Sequence, residues 1–143
     1  MREEHFQNRY PGLRTGHLRI TSPQTETYNC VAWAGGDQAQ KWNPDPYGLF
    51  YWPDETRDDT LQGWIQAFAG LGYVQCEGGA LEAGFEKVVI YGTERGPNHM
   101  ARQLPSGFWT SKMGDAEDIE HEVDGLVGSH YGDVLLYLRR AIS

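Results

Sequence analysis

Cys30 is the residue of this chain best suited by its surroundings to act as a nucleophile. It lies where a polar stretch meets a short helical run, residues 30–34, that Gly35 and Gly36 end. A thiol in the first turn of a helix is close to unpaired backbone N–H groups and to the positive end of the helix dipole, which favour the thiolate. The pattern predicts an activated cysteine. The competing interpretation is a small buried hydrophobic residue.

His99 is the candidate base for this thiol. A nucleophile needs a base within hydrogen-bonding reach, and His99 opens a predicted strand directly after the turn at residues 95–98. We expect this position to be exposed but fixed. The second cysteine, Cys76, lies in a short predicted strand with no histidine nearby in sequence, so we expect it to be structural. A disulfide between the two cysteines is possible in principle but disfavoured in a reducing compartment.

Hydrophobic periodicity and turn residues predict an α+β layout in one domain of 143 residues. Residues 1–24 are expected to form an irregular arm with one short strand near 17–20. The predicted elements after the arm are a short helix at 30–34, an aromatic-rich loop at 42–53, an amphipathic helix at 61–71, strands at 73–76 and 85–91, a hairpin of 99–104 with 108–113, an acidic helix at 116–127 and a strand at 131–138.

Charge and composition exclude several function classes. The formal net charge is −8 and no basic run is present, which disfavours nucleic acid or an anionic membrane surface as the main partner. The charged start of the chain is followed by no apolar stretch, so we expect no secretory signal and a cytoplasmic protein, with delivery by a signal-independent route left open. The cysteine spacing predicts no structural metal, and no cofactor is expected.

The order of these elements resembles the papain-like cysteine hydrolase superfamily, and within it the compact bacterial NlpC and CHAP type amidases and endopeptidases. The resemblance rests on residues 29–34 around the cysteine, the apolar strand 86–91 and the histidine segment 99–104. It implies a helix that carries Cys30 as the nucleophile, packed on a small and mostly antiparallel sheet that carries His99 as the base.

The resemblance also suggests two further site residues. In papain itself, a glutamine six residues before the nucleophile contributes to the oxyanion hole, and Gln24 has that spacing here, although the papain residues just before the nucleophile are absent. In the resembling families a polar residue on the strand after the histidine orients the imidazole, and the matching position falls near Ser111. Three later residues could fold back into that role instead: Asp115, Asp118 and His121. Asp118 could equally lie near a helix N-terminus.

These features together predict acyl-transfer chemistry on a peptide, isopeptide or other amide bond, with a peptidoglycan stem peptide as one candidate substrate. A competing interpretation is a non-catalytic papain-fold module that binds a protein partner through its aromatic loop. A third is a metal-binding protein that uses its histidines, for which the spacing of His121 and His130 gives little support.

Overall fold

A single antiparallel sheet of seven strands with three α-helices makes up the computed structural model, which describes residues 2–142. The strand order is β1-β6-β5-β4-β3-β7-β2. The helices are α1 (Arg2–Arg9), α2 (Cys30–Ala34) and α3 (Leu61–Ala69). The strands are β1 (Leu18–Ile20), β2 (Val74–Cys76), β3 (Phe85–Thr93), β4 (Gly96–Gln103), β5 (Trp109–Lys112), β6 (Asp118–His121) and β7 (Asp133–Ala141).

The predicted α+β class is confirmed. The helices predicted at 30–34 and 61–71 form as α2 and α3, and the strands predicted at 73–76, 85–91 and 131–138 form as β2, β3 and β7. In β3 the side chains from Val88 to Tyr91 are all buried because elements cover both faces of the sheet. The hairpin of β4 and β5 also forms as predicted. No helix among the described residues is long and apolar enough to cross a membrane.

Alternation along the strands divides the core into two clusters, one on each face of the sheet. The first face, which we call the α2 face, packs Val88, Ile90, Met100 and Leu138 against α2 and α3. The opposite face, which we call the α1 face, packs Val89, Tyr91, Ala101 and Ile119 against residues of the N-terminal segment. Successive residues of β4 therefore serve different clusters.

The prediction of an irregular arm over residues 1–24 is wrong for its first part. Arg2–Arg9 form α1, which has acidic residues in its first turn and Arg9 in its last, an arrangement that complements the helix dipole. Phe6 is buried on the α1 face, and the Arg2 guanidinium donates to both carboxylate oxygens of Glu117 at 2.7 and 2.9 Å. The core contacts of this helix were not visible as a periodic pattern in so short and polar a segment. The short strand predicted near residues 17–20 is confirmed as β1.

The predicted acidic helix at 116–127 is also wrong. Residues 118–121 form β6, which pairs with β5 on one side and with β1 on the other, and a 3₁₀ turn follows at Val123–Leu126. Ile119 and His121 both point to the α1 face and are fully buried, whereas Asp118 faces the other side. Backbone pairing with two strands and this period-two burial outweigh the local helix propensity. Because this helix does not form, the suggestion that Asp118 lies near a helix N-terminus is also wrong.

The start of α2 is fixed by Asn29. Its side-chain oxygen accepts the backbone N–H of Ala32 and that of Trp42, both at 3.1 Å, and its amide nitrogen donates to the Trp42 carbonyl at 2.8 Å. Asn29 thus caps the helix and also ties it to the aromatic loop. Because Cys30 is the first residue of α2, this cap sets the position of the sulfur.

We expect Asn29→Ala to destabilise the protein more than Thr60→Ala, the matched loss of the α3 cap, whose hydroxyl accepts only the Gly63 N–H in that helix. Loss of an ordinary cap costs about 1 kcal/mol. Loss of Asn29 also leaves two half-buried backbone groups of Trp42 unpaired, so about 2–3 kcal/mol is expected. Urea denaturation of the two variants measures the difference, and equal losses would show that the tie to Trp42 contributes nothing.

Candidate active site

His99 and Ser111 form a buried hydrogen-bonded pair on neighbouring strands. The Nε2 atom of His99 in β4 lies 3.0 Å from the Oγ atom of Ser111 in β5, and the two residues are 1% and 0% exposed. Ser111, the position predicted for the orienting residue, therefore lies within hydrogen-bonding distance of His99. The prediction that His99 is exposed is wrong, because β4 begins three residues earlier, at Gly96, and His99 faces the covered α1 side.

The pair lies where β4 and β5 separate. The ladder between these strands contains only the pairs of Arg102 with Thr110 and of Gln103 with Trp109. Towards His99 the backbones no longer pair, and the bond from His99 to Ser111 joins the two strands instead. Helix α2 packs against both β4 and β5. The helix that begins at Cys30 therefore lies beside the two strands that carry the pair.

His121 extends the pair into a chain of hydrogen bonds. Its Nε2 atom lies 2.7 Å from Ser111 Oγ, and its Nδ1 atom lies 2.8 Å from the carbonyl oxygen of Glu122. His121 is one of the three residues that, from the sequence, could fold back towards His99. Of the three, His121 is the one that lies within hydrogen-bonding distance of Ser111. The signal that distinguishes it is the alternation of β6, which places His121 on the same face as Ser111.

The other two alternatives lie elsewhere. Asp115 pairs with Lys41 in an exposed contact at 3.1 Å. Asp118 is buried on the α2 face, where it accepts the hydroxyl of Tyr28 at 2.7 Å, and burial raises its pKa. Gln24 is exposed in the segment between β1 and α2, and no hydrogen bond within residues 2–142 fixes its amide near Cys30.

Cys30 is half-buried and packs against the cluster on the α2 face. The backbone of Met100, the residue after His99, offers a hydrogen bond to its sulfur. Burial raises the pKa of Tyr131, and the neighbouring Tyr10 and Cys30 raise it further. The Tyr131 ring in turn stacks on the His99 ring with centroids 3.9 Å apart and planes 6° apart. Among the described residues no hydrogen bond joins the Cys30 sulfur to His99 in this resting arrangement.

Burial sets the charge state of all three candidate groups. It raises the pKa of the Cys30 thiol, an effect only partly offset by hydrogen bonds from the backbone of Met100, Val31 and Cys30 and by the charge of Lys112. Burial, together with His121, lowers the pKa of His99 well below its usual range, and burial lowers the pKa of His121 to about 4. The thiolate expected from the helix N-terminus is therefore not the resting form, because α2 has only five residues and its dipole is outweighed by desolvation.

A cavity of about 300 Å³ borders this end of the sheet. It is lined by Tyr131 and Met113, by Tyr10 and Phe6 of the N-terminal segment, and by the cationic or titratable side chains of Arg9 and His130. Tyr10 stacks on Tyr131 with centroids 5.1 Å apart, so the rings run from the cavity to His99. Across residues 2–142, no group of three or more His, Cys, Asp or Glu side chains is arranged to hold a metal ion.

The neutral state of His121 predicts a specific loss of stability in acid. Its pKa is about 4 in the folded protein and near 6.5 when exposed, so the unfolded chain binds more protons between these values. The free energy of unfolding should therefore fall as the pH drops through this window. We expect wild type to lose about 1.4 kcal/mol per pH unit more than His121→Gln between pH 6 and 4.5, by urea denaturation. Parallel curves for the two proteins would contradict the buried neutral imidazole.

Comparison with known proteins gives a family but no relative of known activity. No curated protein matches the chain, and no solved structure does. One family model, described as a domain of unknown function (DUF7689), matches residues 19–139. The matched region contains Cys30, His99, Ser111 and His121. The chain therefore belongs to the DUF7689 family.

Proposed function

We propose that this protein is a cysteine hydrolase of papain-like architecture, in which Cys30 attacks an acyl carbonyl and His99 accepts the proton of the thiol. The observation that carries the proposal is the placement of α2. Helix α2, which begins at Cys30, packs on β4 and β5, and the hydrogen bond of His99 to Ser111 joins the same two strands. The backbone of Met100, the residue after His99, offers a hydrogen bond to the Cys30 sulfur. Nucleophile, base and orienting residue thus occur in the order and on the elements that such an enzyme requires.

The bond to Ser111 uses Nε2 of His99 and leaves Nδ1 for proton transfer. In the reaction the sulfur bonds to the carbonyl carbon, and the thiol proton passes to Nδ1. The C–N bond then breaks, and His99 returns the proton to the leaving amine. Water hydrolyses the resulting thioester with His99 again as the base. The N–H of Cys30 and the amide of Gln24 are the proposed donors to the oxyanion.

The resting charge states favour a general-base mechanism over a preformed ion pair. Burial keeps both the thiol of Cys30 and the imidazole of His99 neutral near pH 7. Proton transfer then accompanies attack on the substrate. The hydrogen bond from the Cys30 thiol to Nδ1 of His99 forms only in the complex with substrate. Catalytic hydrogen bonds are often long or poorly aligned in unliganded enzymes.

The substrate class is a peptide, an isopeptide or another amide. The cavity beside Tyr131 offers aromatic walls for the acyl side chain, and a peptidoglycan fragment is one candidate consistent with the resemblance to the NlpC and CHAP enzymes. The surface carries a net negative charge of −8, which disfavours strongly acidic substrates away from this cavity.

A second candidate function, binding of a protein partner without catalysis, is favoured by the aromatic loop. Trp42 and Trp52 anchor this loop in the core of the α2 face, whereas Tyr47 and Leu49 are 85% and 77% exposed. Phe50 and Tyr51 add further exposed ring surface beside them. A rigid base that presents apolar side chains to solvent is typical of a protein-binding loop.

Acylation by p-nitrophenyl acetate separates the two functions. This ester delivers an acetyl group to an activated thiol and releases p-nitrophenolate, so it reports acyl transfer without knowledge of the substrate. We expect mass spectrometry to find acetyl on Cys30 at pH 7.5, and His99→Ala to slow its formation at least tenfold, because general-base assistance contributes about 10²–10⁴-fold.

Cys76 serves as the internal control, since it is also half-buried and lies far from His99 in the sheet. Its acylation should be slow and equal in both proteins. Acetylation of Cys30 at the same rate in wild type and His99→Ala would overturn the hydrolase proposal. In that case the binding function would take its place, and Tyr47→Ser with Leu49→Ser would be the variants to compare in partner capture.

A further inference from the structure

The chain of hydrogen bonds from His99 through Ser111 to His121 ends on a backbone carbonyl oxygen, which can only accept a hydrogen bond. The carbonyl oxygen of Glu122 carries no proton, so Nδ1 of His121, 2.8 Å away, must be the donor. Burial lowers the pKa of His121 to about 4, and its imidazole is therefore neutral near pH 7. A neutral imidazole carries one N–H. The Nε2 atom of His121 is thus an acceptor.

The direction of each remaining bond follows from this end. Ser111 has a single hydroxyl proton, and it donates that proton to Nε2 of His121 at 2.7 Å. Towards His99, 3.0 Å away on its other side, the Ser111 oxygen can then only accept. Nε2 of His99 must supply the proton for that bond. The proton of a neutral His99 therefore lies on Nε2, and its Nδ1 atom is bare.

We propose that Ser111 and His121 are positioning residues that hold His99 in the tautomer with its proton on Nε2 and with Nδ1 free to accept a proton. The catalytic meaning of this arrangement rests on the proposed hydrolase function, but the tautomer itself does not. Neither residue needs to touch a substrate. Their part is to keep the lone pair on the nitrogen that is available to the thiol.

Within residues 2–142, the groups that face His99 are neutral and do not compete with the hydrogen bonds in setting this tautomer. The rings that face His99 belong to Tyr91 of β3 and to Tyr131 of the segment before β7, and burial raises the pKa of both phenols, which stay neutral. The thiol of Cys30 is neutral as well. His17 pairs with Glu120, the residue before His121. In addition to burial, His17 lowers the pKa of His121, but it makes no hydrogen bond to the His121 ring that would change the direction of the chain.

Protonation of His121 would reverse the chain. A charged His121 donates from both nitrogens, so its Nε2–H would donate a hydrogen bond to the Ser111 oxygen, and the Ser111 hydroxyl would turn to donate to Nε2 of His99. Nε2 of His99 would then accept, and its proton would move to Nδ1. The hydrogen bonds that leave Nδ1 of His99 unprotonated at neutral pH would therefore leave it protonated, and unable to act as a base, when His121 becomes charged.

Nitrogen-15 NMR of the imidazole groups measures the tautomer directly in the whole protein. We expect the wild-type spectrum near pH 7 to show His99 with a protonated, pyrrole-like Nε2 and an unprotonated, pyridine-like Nδ1. A protonated Nδ1 in wild type would overturn the proposal by itself. This measurement needs no variant and no substrate.

Two matched substitutions test the part played by His121. His121→Gln can place its amide oxygen near the former Nε2 position and still accept the Ser111 hydroxyl, so the His99 tautomer should persist. His121→Asn places its amide near the former Nδ1 position and leaves Ser111 without that acceptor. The hydroxyl can then donate to His99, and we expect the Nδ1 resonance to move at least halfway towards the protonated value.

The dispersion of the backbone amide signals serves as the control for an intact fold. An unchanged His99 tautomer in His121→Asn, with that dispersion preserved, would also overturn the inference. If His121→Asn does not fold, Ser111→Ala replaces it, with loss of the fixed tautomer as the expected result. Failure of Cys30 to take up acetyl, with the tautomer as expected, would count against the hydrolase function and leave this assignment standing.

Discussion

The hydrogen bond between His99 and Ser111 is the interaction on which the candidate site depends. It joins β4 to β5 at the point where their backbone ladder has ended, and it therefore holds the gap at a fixed width. Both residues are buried, so the bond must be made in the folded state, since an unpaired buried polar group costs about 1–3 kcal/mol. The ring of Tyr131 stacks on His99 beside this bond.

Burial also sets the charge state of the candidate site in the unliganded protein. The same apolar surroundings that define the hydrogen bonds remove charge from Cys30, His99 and His121. A short helix cannot offset this cost, so its N-terminus orients the thiol more than it ionises it. A neutral thiol beside a neutral base is stable until an electrophile is bound.

The fold could be predicted from the sequence where periodicity is strong, as in α3, β3 and the hairpin of β4 with β5. It could not be predicted at β6, because Ile119 and His121 show their period-two burial only when β1 and β5 lie on either side. The pairing of His99 with Ser111 followed from counting across one turn. The choice of His121 over Asp115 and Asp118 required knowing which face of the sheet each residue of β6 points to, and local sequence does not give that. The desolvation of Cys30 could not be predicted either, because it depends on packing from α2, β4 and the Tyr131 segment together.

The most direct test of the account is a double-mutant cycle on turnover of p-nitrophenyl acetate with Cys30→Ala, His99→Ala and the combined variant. Residues that act as one catalytic unit show strongly non-additive losses. The account predicts that the combined variant is no slower than Cys30→Ala alone. Losses that multiply, or a Cys30→Ala protein as active as wild type, would show that Cys30 and His99 do not work together.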